Sequence, residues 1–122
     1  MPEPIEQKMM TFKSLEEDNI RRFLTKHSGN PKMFELLCFW GEYSNISVVK
    51  SIIGNFVNCR SAKLDELLDE LLKEGIINQY FHGATLYRLV KEGPWRTAVM
   101  ELAGMSQDQR RSLIRQLESE VT

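Results

Sequence analysis

The segment RSAKLDELLDE, residues 60–70, sets two opposed chemistries side by side. Arg60, Ser61 and Lys63 are donors suited to phosphate oxygens, and an arginine or lysine also fits the guanine edge. Asp65, Glu66 and Asp69 follow within two helical turns. A carboxylate there can accept from a cytosine amino group, yet every uncompensated negative charge is repelled by a polyanion. The same three carboxylates could instead face a protein partner. Other candidate donors to a phosphate backbone are Lys50 upstream and Gln79, His82, Thr85 and Arg88 downstream, and the stretch 79–85 itself contains no lysine or arginine.

The remaining reactive side chains do not assemble into a recognisable catalytic or metal motif. Cys38 sits in an apolar stretch and Cys59 in a polar turn, with no CxxC, and His27 and His82 stand alone. Zinc requires about four convergent ligands, usually in closely spaced pairs. The expectation is two free thiols in a reducing compartment and no metal. No nucleophile–base pairing is evident, and GEYSNIS and GNFVN lack the glycine spacing of a phosphate-cradling loop. Neither an enzyme nor a cofactor is expected.

The chain has 122 residues, 42% hydrophobic and 27% charged, with a net charge of −1. This is the range of one soluble domain with a single core, and residues 1–122 are expected to form one. No apolar run approaches the roughly 18 residues of a membrane span. Acidic residues precede any apolar stretch at the N-terminus, which argues against a signal peptide and for a cytoplasmic location. The charge is unevenly placed. Residues 61–75 carry Lys63 and Lys73 against five carboxylates, a net −3, while every other segment is neutral or +1.

The elements that must position these groups can be read from periodicity. A loose arm comes first. A helix over about 14–28 is marked by Ser14 and Glu17 at capping-box spacing and by Ile20, Phe23, Leu24 and His27 along one side. Asn30 and Pro31 start a second helix, apolar nearly all round (Met33, Phe34, Leu36, Leu37, Phe39, Trp40) and therefore central. A short third helix is expected after a Ser47 cap, carrying Val48, Val49, Ile52 and Ile53. Leu64, Leu67, Leu68, Leu71 and Leu72 stripe a fourth helix that Gly75 closes. The period then falls to two, so IINQYF and TLYRLV form a hairpin around HGA. Two helices complete the chain over about 95–121, the second opened by Ser106 and Gln109 at capping-box spacing, with Leu113, Ile114, Leu117 and Val121 along one side. The fold class is mainly α with a small β-hairpin. The aromatics Phe34, Trp40 and Trp95 could line an effector pocket, although plain core packing is the simpler role.

A central helix, a short helix, a turn, a leucine-striped helix and a hairpin over about 31–90 resemble the winged helix-turn-helix domain of MarR-like and ArsR-like transcriptional regulators. The residues that carry the likeness are Leu71, Leu72, Lys73, Glu74, Gly75, Ile76 and Ile77, with Tyr87 and Leu89 in the second strand. The resemblance implies a DNA-binding regulator that contacts double-stranded DNA through Lys50, Arg60, Ser61, Lys63, Gln79, His82, Thr85 and Arg88. It also implies a homodimer formed through the flanking helices at about 14–28 and 95–121, since paired half-sites call for two-fold symmetry. Fold does not dictate function, however. The alternative is the same scaffold used as a protein-interaction or assembly module, with Asp65, Glu66 and Asp69 facing the partner.

Overall fold

A computed structural model of the chain describes residue 14 and residues 17–121, with the side chains of Glu120 and Val121 left out. The expected N-terminal arm, residues 15–16 and the predicted Val121 contact lie outside the described residues. The elements are α1 (Asp18–Lys26), α2 (Pro31–Glu42), α3 (Lys50–Val57), α4 (Ser61–Glu74), β1 (Ile77–Phe81), β2 (Thr85–Leu89), α5 (Pro94–Ala103) and α6 (Gln107–Val121). The protein is mainly helical with one small antiparallel hairpin, as its periodicity predicts.

The centre of the molecule is α2. Met33, Phe34, Leu36, Leu37, Phe39 and Trp40 are all buried, which an all-round apolar helix requires. Its long neighbour is α5, and the two approach so closely that a Cβ at Gly41 would lie 2.4 Å from the Ala103 Cβ and 2.5 Å from the Val99 carbonyl oxygen. Only a glycine fits there. Ile20, Phe23 and Leu24 of α1, Trp95, Ala98, Val99 and Leu102 of α5, and Leu113 and Leu117 of α6 join the same cluster. Phe23 meets the Trp95 ring edge-on at 5.3 Å.

Two helix starts differ from expectation. The hydroxyl of Ser14 donates to Glu101 Oε1 at 2.9 Å instead of capping α1, whose N-cap is Glu17 without a side-chain hydrogen bond. The long-range carboxylate outcompetes the local cap because a charged acceptor makes the stronger bond. The third helix begins at Lys50, three residues after the predicted Ser47 cap. Val48 is spent on the sheet: its N–H donates to the Tyr87 carbonyl at 3.0 Å, and Tyr87 N–H returns the bond at 2.8 Å. A β-branched residue is well suited to that extended role. By contrast, the Ser106–Gln109 capping box forms reciprocally, at 2.8 and 3.1 Å.

The turn between α3 and α4 places Asn58 at φ 53°, a left-handed conformation that asparagine tolerates better than most residues. At the far end of α4, Gly75 has φ 81°, and its N–H and that of Ile76 close the helix on Leu72 and Leu71 carbonyls. The chain thereby turns directly into β1. The hairpin register pairs Ile77 with Leu89 and Phe81 with Thr85, around Gly83 at φ 74°.

Gly41→Ala should lower stability by about 1–3 kcal/mol, because α2 and α5 must separate to admit the methyl group. Gly29→Ala, which meets no atom within 4 Å, serves as the reference and should stay within about 0.5 kcal/mol of the parent. Urea unfolding of both variants decides it.

Candidate interaction face on α4 and the hairpin

One side of α4 is buried and the other is charged. Leu64, Leu67, Leu68 and Leu71 lie in the core and Leu72 is half-buried, so the remaining positions point outward. Asp65, Glu66 and Asp69 are exposed on that outer side, together with Lys63. Arg60 and Ser61 are exposed at the start of the helix, where Arg60 is the N-cap residue and makes no side-chain cap.

The cations near this face are largely engaged. Lys50 Nζ donates to Asp65 Oδ1 at 2.8 Å. Lys63 Nζ lies 3.7 Å from Glu66 Oε1. Lys32, which would help neutralise a duplex if the start of α2 faced one, donates to the Val57 carbonyl at 2.7 Å and so caps the end of α3. Glu70 is the one carboxylate of α4 drawn back toward the body, 3.4 Å from Lys26 Nζ and 3.9 Å from His27 Nε2. His27 is buried against the Phe23 ring, with centroids 4.5 Å apart.

Between α4 and the hairpin lies an open hollow of about 290 Å³. The helix contributes Asp65, Glu66, Leu68, Asp69 and Leu72, and the hairpin contributes Gln79 and Tyr87, a directly paired couple. Strand alternation puts Phe81 on the same hairpin face one step further out, where it is 75% exposed. Thr85, its cross-strand partner, is exposed with it.

Of the predicted contact residues, Lys50, Arg60, Ser61, Lys63 and Gln79 flank this face. His82 is exposed at the hairpin tip, and Arg88 falls on the opposite hairpin face, half-buried with its Nε enclosed and without a hydrogen-bond partner. Asp65, Glu66 and Asp69 lie exposed together on the outer side of α4. Tyr87, Leu72 and Phe81 complete the surface and escaped the sequence reading, although a period of two from Gln79 already picks out Phe81 and, across the turn, Tyr87. A second apolar surface also escaped it. Ile53 and Val57 are the inward pair of α3, which leaves Ile52 and Phe56 outward, with the Phe56 ring tilted against Phe39 and edge-on to Tyr43. Two i, i+4 apolar pairs on an eight-residue helix cannot both face the core, and that conflict was visible in the sequence.

Cys38 and Cys59 are free and partly buried, and burial pushes the Cys38 thiol above its ordinary value, which suppresses its reactivity. Among the described residues no group of three or more His, Cys, Asp or Glu side chains is arranged to hold a metal ion. Nor is any helix among them long and apolar enough to cross a membrane. No family model matches the chain, and no curated protein or solved structure matches it.

Two outcomes follow from these contacts. Burial holds the His27 pKa below the ordinary 6.5, against the opposing pull of Glu70 and with help from Lys26 and Lys63. The unfolded chain therefore takes up a proton that the folded chain resists, so the His27 contribution is complete above pH 6.5 and is lost as pH falls below it. Urea midpoints between about pH 8 and 5 should drop more for the parent than for His27→Gln. Secondly, Asp65→Asn with Asp69→Asn should cost no more than about 1 kcal/mol, because both carboxylates are exposed and surface pairs contribute little. The same urea measurement tests it.

Proposed function

We propose that this protein is an interaction module built on the winged helix-turn-helix plan, engaging a partner protein through the outer side of α4 and the adjoining hairpin face. The element order α2–α3–α4–hairpin and the Val48 bridge to β2 support the scaffold. The observation that carries the function is the exposed placement of Asp65, Glu66 and Asp69 together on the outer side of α4. Of the cations beside them, Lys50 pairs with Asp65 at 2.8 Å and Lys63 lies 3.7 Å from Glu66, both in exposed pairs that a ligand can exchange.

Tight DNA binders commonly make roughly 6–10 phosphate contacts. Here the half-buried Arg88 is turned to the other hairpin face, Lys32 caps α3, and the hairpin tip offers His82 and Thr85 without a lysine or arginine. A duplex laid on α4 would meet the net −3 of residues 61–75 and be repelled. A protein surface bearing cations would be attracted by the same charge.

A second reading, a transcriptional regulator acting on double-stranded DNA, draws on the exposed Arg60, Ser61 and Lys63 at the start of α4. Its homodimer through the flanking helices lacks support from exposed apolar surface. The apolar sides of α1 and α6 are consumed by their own core, and among the described residues Met100 of α5 is the one large exposed hydrophobic side chain on these helices.

The test is titration of random duplex DNA at about 50 and 200 mM salt, with micromolar protein. The interaction reading expects no binding, or binding without a salt slope. Micromolar or tighter binding that falls steeply with salt would replace it with the regulator. Light scattering adds the oligomeric state, which the interaction reading expects to be a monomer.

A further inference from the structure

The hairpin has one satisfied side and one open side. On β2, the Tyr87 N–H and C=O point away from β1 and are taken by Val48. The phase of the ladder follows from its two ends: Val90 N–H donates to the Ile76 carbonyl and His82 N–H to the Ala84 carbonyl. In the observed register, Asn78 and Tyr80 then exchange bonds with Arg88 and Leu86, and the backbone groups of Ile77, Gln79 and Phe81 face outward. The sheet order is thus Val48, β2, β1, with β1 as the free edge among the described residues.

Natural edges are usually blunted by a lysine, a proline, a bulge or an inward charge. The β1 sequence INQYF has no charged residue and no proline, and its register to β2 runs without a bulge. Beside it stands the hollow, with Leu72, Leu68 and Tyr87 as apolar surface, Asp65, Glu66 and Asp69 as an acidic wall, and Phe81 exposed at the outer end.

We infer that the β1 edge accepts an extended, basic segment of a partner protein as an added strand, with alternate lysine or arginine side chains directed to the α4 carboxylates. This rests on the interaction reading and names its ligand. Gln79 of β1 and the carboxylates of Asp65, Glu66 and Asp69 line the same hollow. A cation on the hollow-facing side of the added strand would meet Asp69 directly, and Asp65 by displacing Lys50 from its exposed pair, while the backbone pairs with Gln79 and Phe81. A second copy of this chain does not fit, because its own β1 brings no cation to the wall. Main-chain bonds would supply affinity and the acidic wall specificity, as in other strand-addition complexes.

The experiment uses the full chain and a fluorescent peptide of alternating lysine and valine, seven residues long. Controls are the glutamate–valine counterpart and a lysine–valine peptide N-methylated at alternate amides, which keeps the charge but cannot pair as a strand. The lysine–valine peptide should bind. Affinity should fall at least tenfold for the N-methylated peptide and at least tenfold for the Asp65→Asn/Asp69→Asn variant, while the glutamate peptide should not bind. Amide resonances of Ile77, Gln79 and Phe81 should shift and become protected from exchange. Equal affinity for the N-methylated peptide, unaltered β1 amides, or no binding of any lysine peptide would each overturn strand addition. None of these touches the wider interaction reading, which falls only to salt-dependent DNA binding.

Discussion

The orientation of α4 depends on one stripe of leucines, and nearly every surface property follows from it. Leu64, Leu67, Leu68 and Leu71 sink into the cluster organised around α2, so rotation of the helix would expose several large aliphatic side chains at once. Full burial of each such residue is worth roughly 1.5–3 kcal/mol, far more than any surface ion pair on the opposite side. Apolar burial thus overrides electrostatics, and the carboxylates are held outward whatever they meet there. Gly75 transmits that orientation to the hairpin, because its left-handed backbone leads α4 straight into β1.

The charges then arrange themselves within a frame they did not set. Lys50 lies on α3 and Asp65 on α4, and the turn through Asn58 brings them into contact. Glu70, on the edge of the leucine stripe, is drawn to α1, where Lys26 and the buried His27 lie. What remains on the outer side is Asp69 beside an open hollow, with Asp65 and Glu66 in exposed pairs to Lys50 and Lys63. In water these exposed pairs contribute little to stability. Their effect is on what can approach, since a like-charged surface is excluded and a cationic one is drawn in.

The same geometry separates what holds the fold from what lies on its surface. The scaffold requires only a buried stripe, a reversal at Gly75 and a paired hairpin. It places no demand on the outward residues of α4, which are free to carry either sign. The proposed interaction rests on those outward positions and on the free edge of β1, not on the core. The exposed Ile52 and Phe56, the latter edge-on to Tyr43, lie outside this face and form a separate surface.

Periodicity alone determined the central role of α2, the leucine stripe, the Gly75 reversal and the hairpin, because each is a local pattern with a single low-energy solution. The acidic cluster was legible for the same reason, since helix geometry puts Asp65, Glu66 and Asp69 opposite the leucines. Competition between distant groups decided the rest. Glu101 took the Ser14 hydroxyl from the α1 cap, and Tyr87 took Val48 from α3 into the sheet. Asp65 drew Lys50 across from α3, and the ladder phase left Ile77, Gln79 and Phe81 as the open backbone edge. A linear sequence lists every donor and acceptor, but which pairs form depends on distances that exist only once the chain has folded.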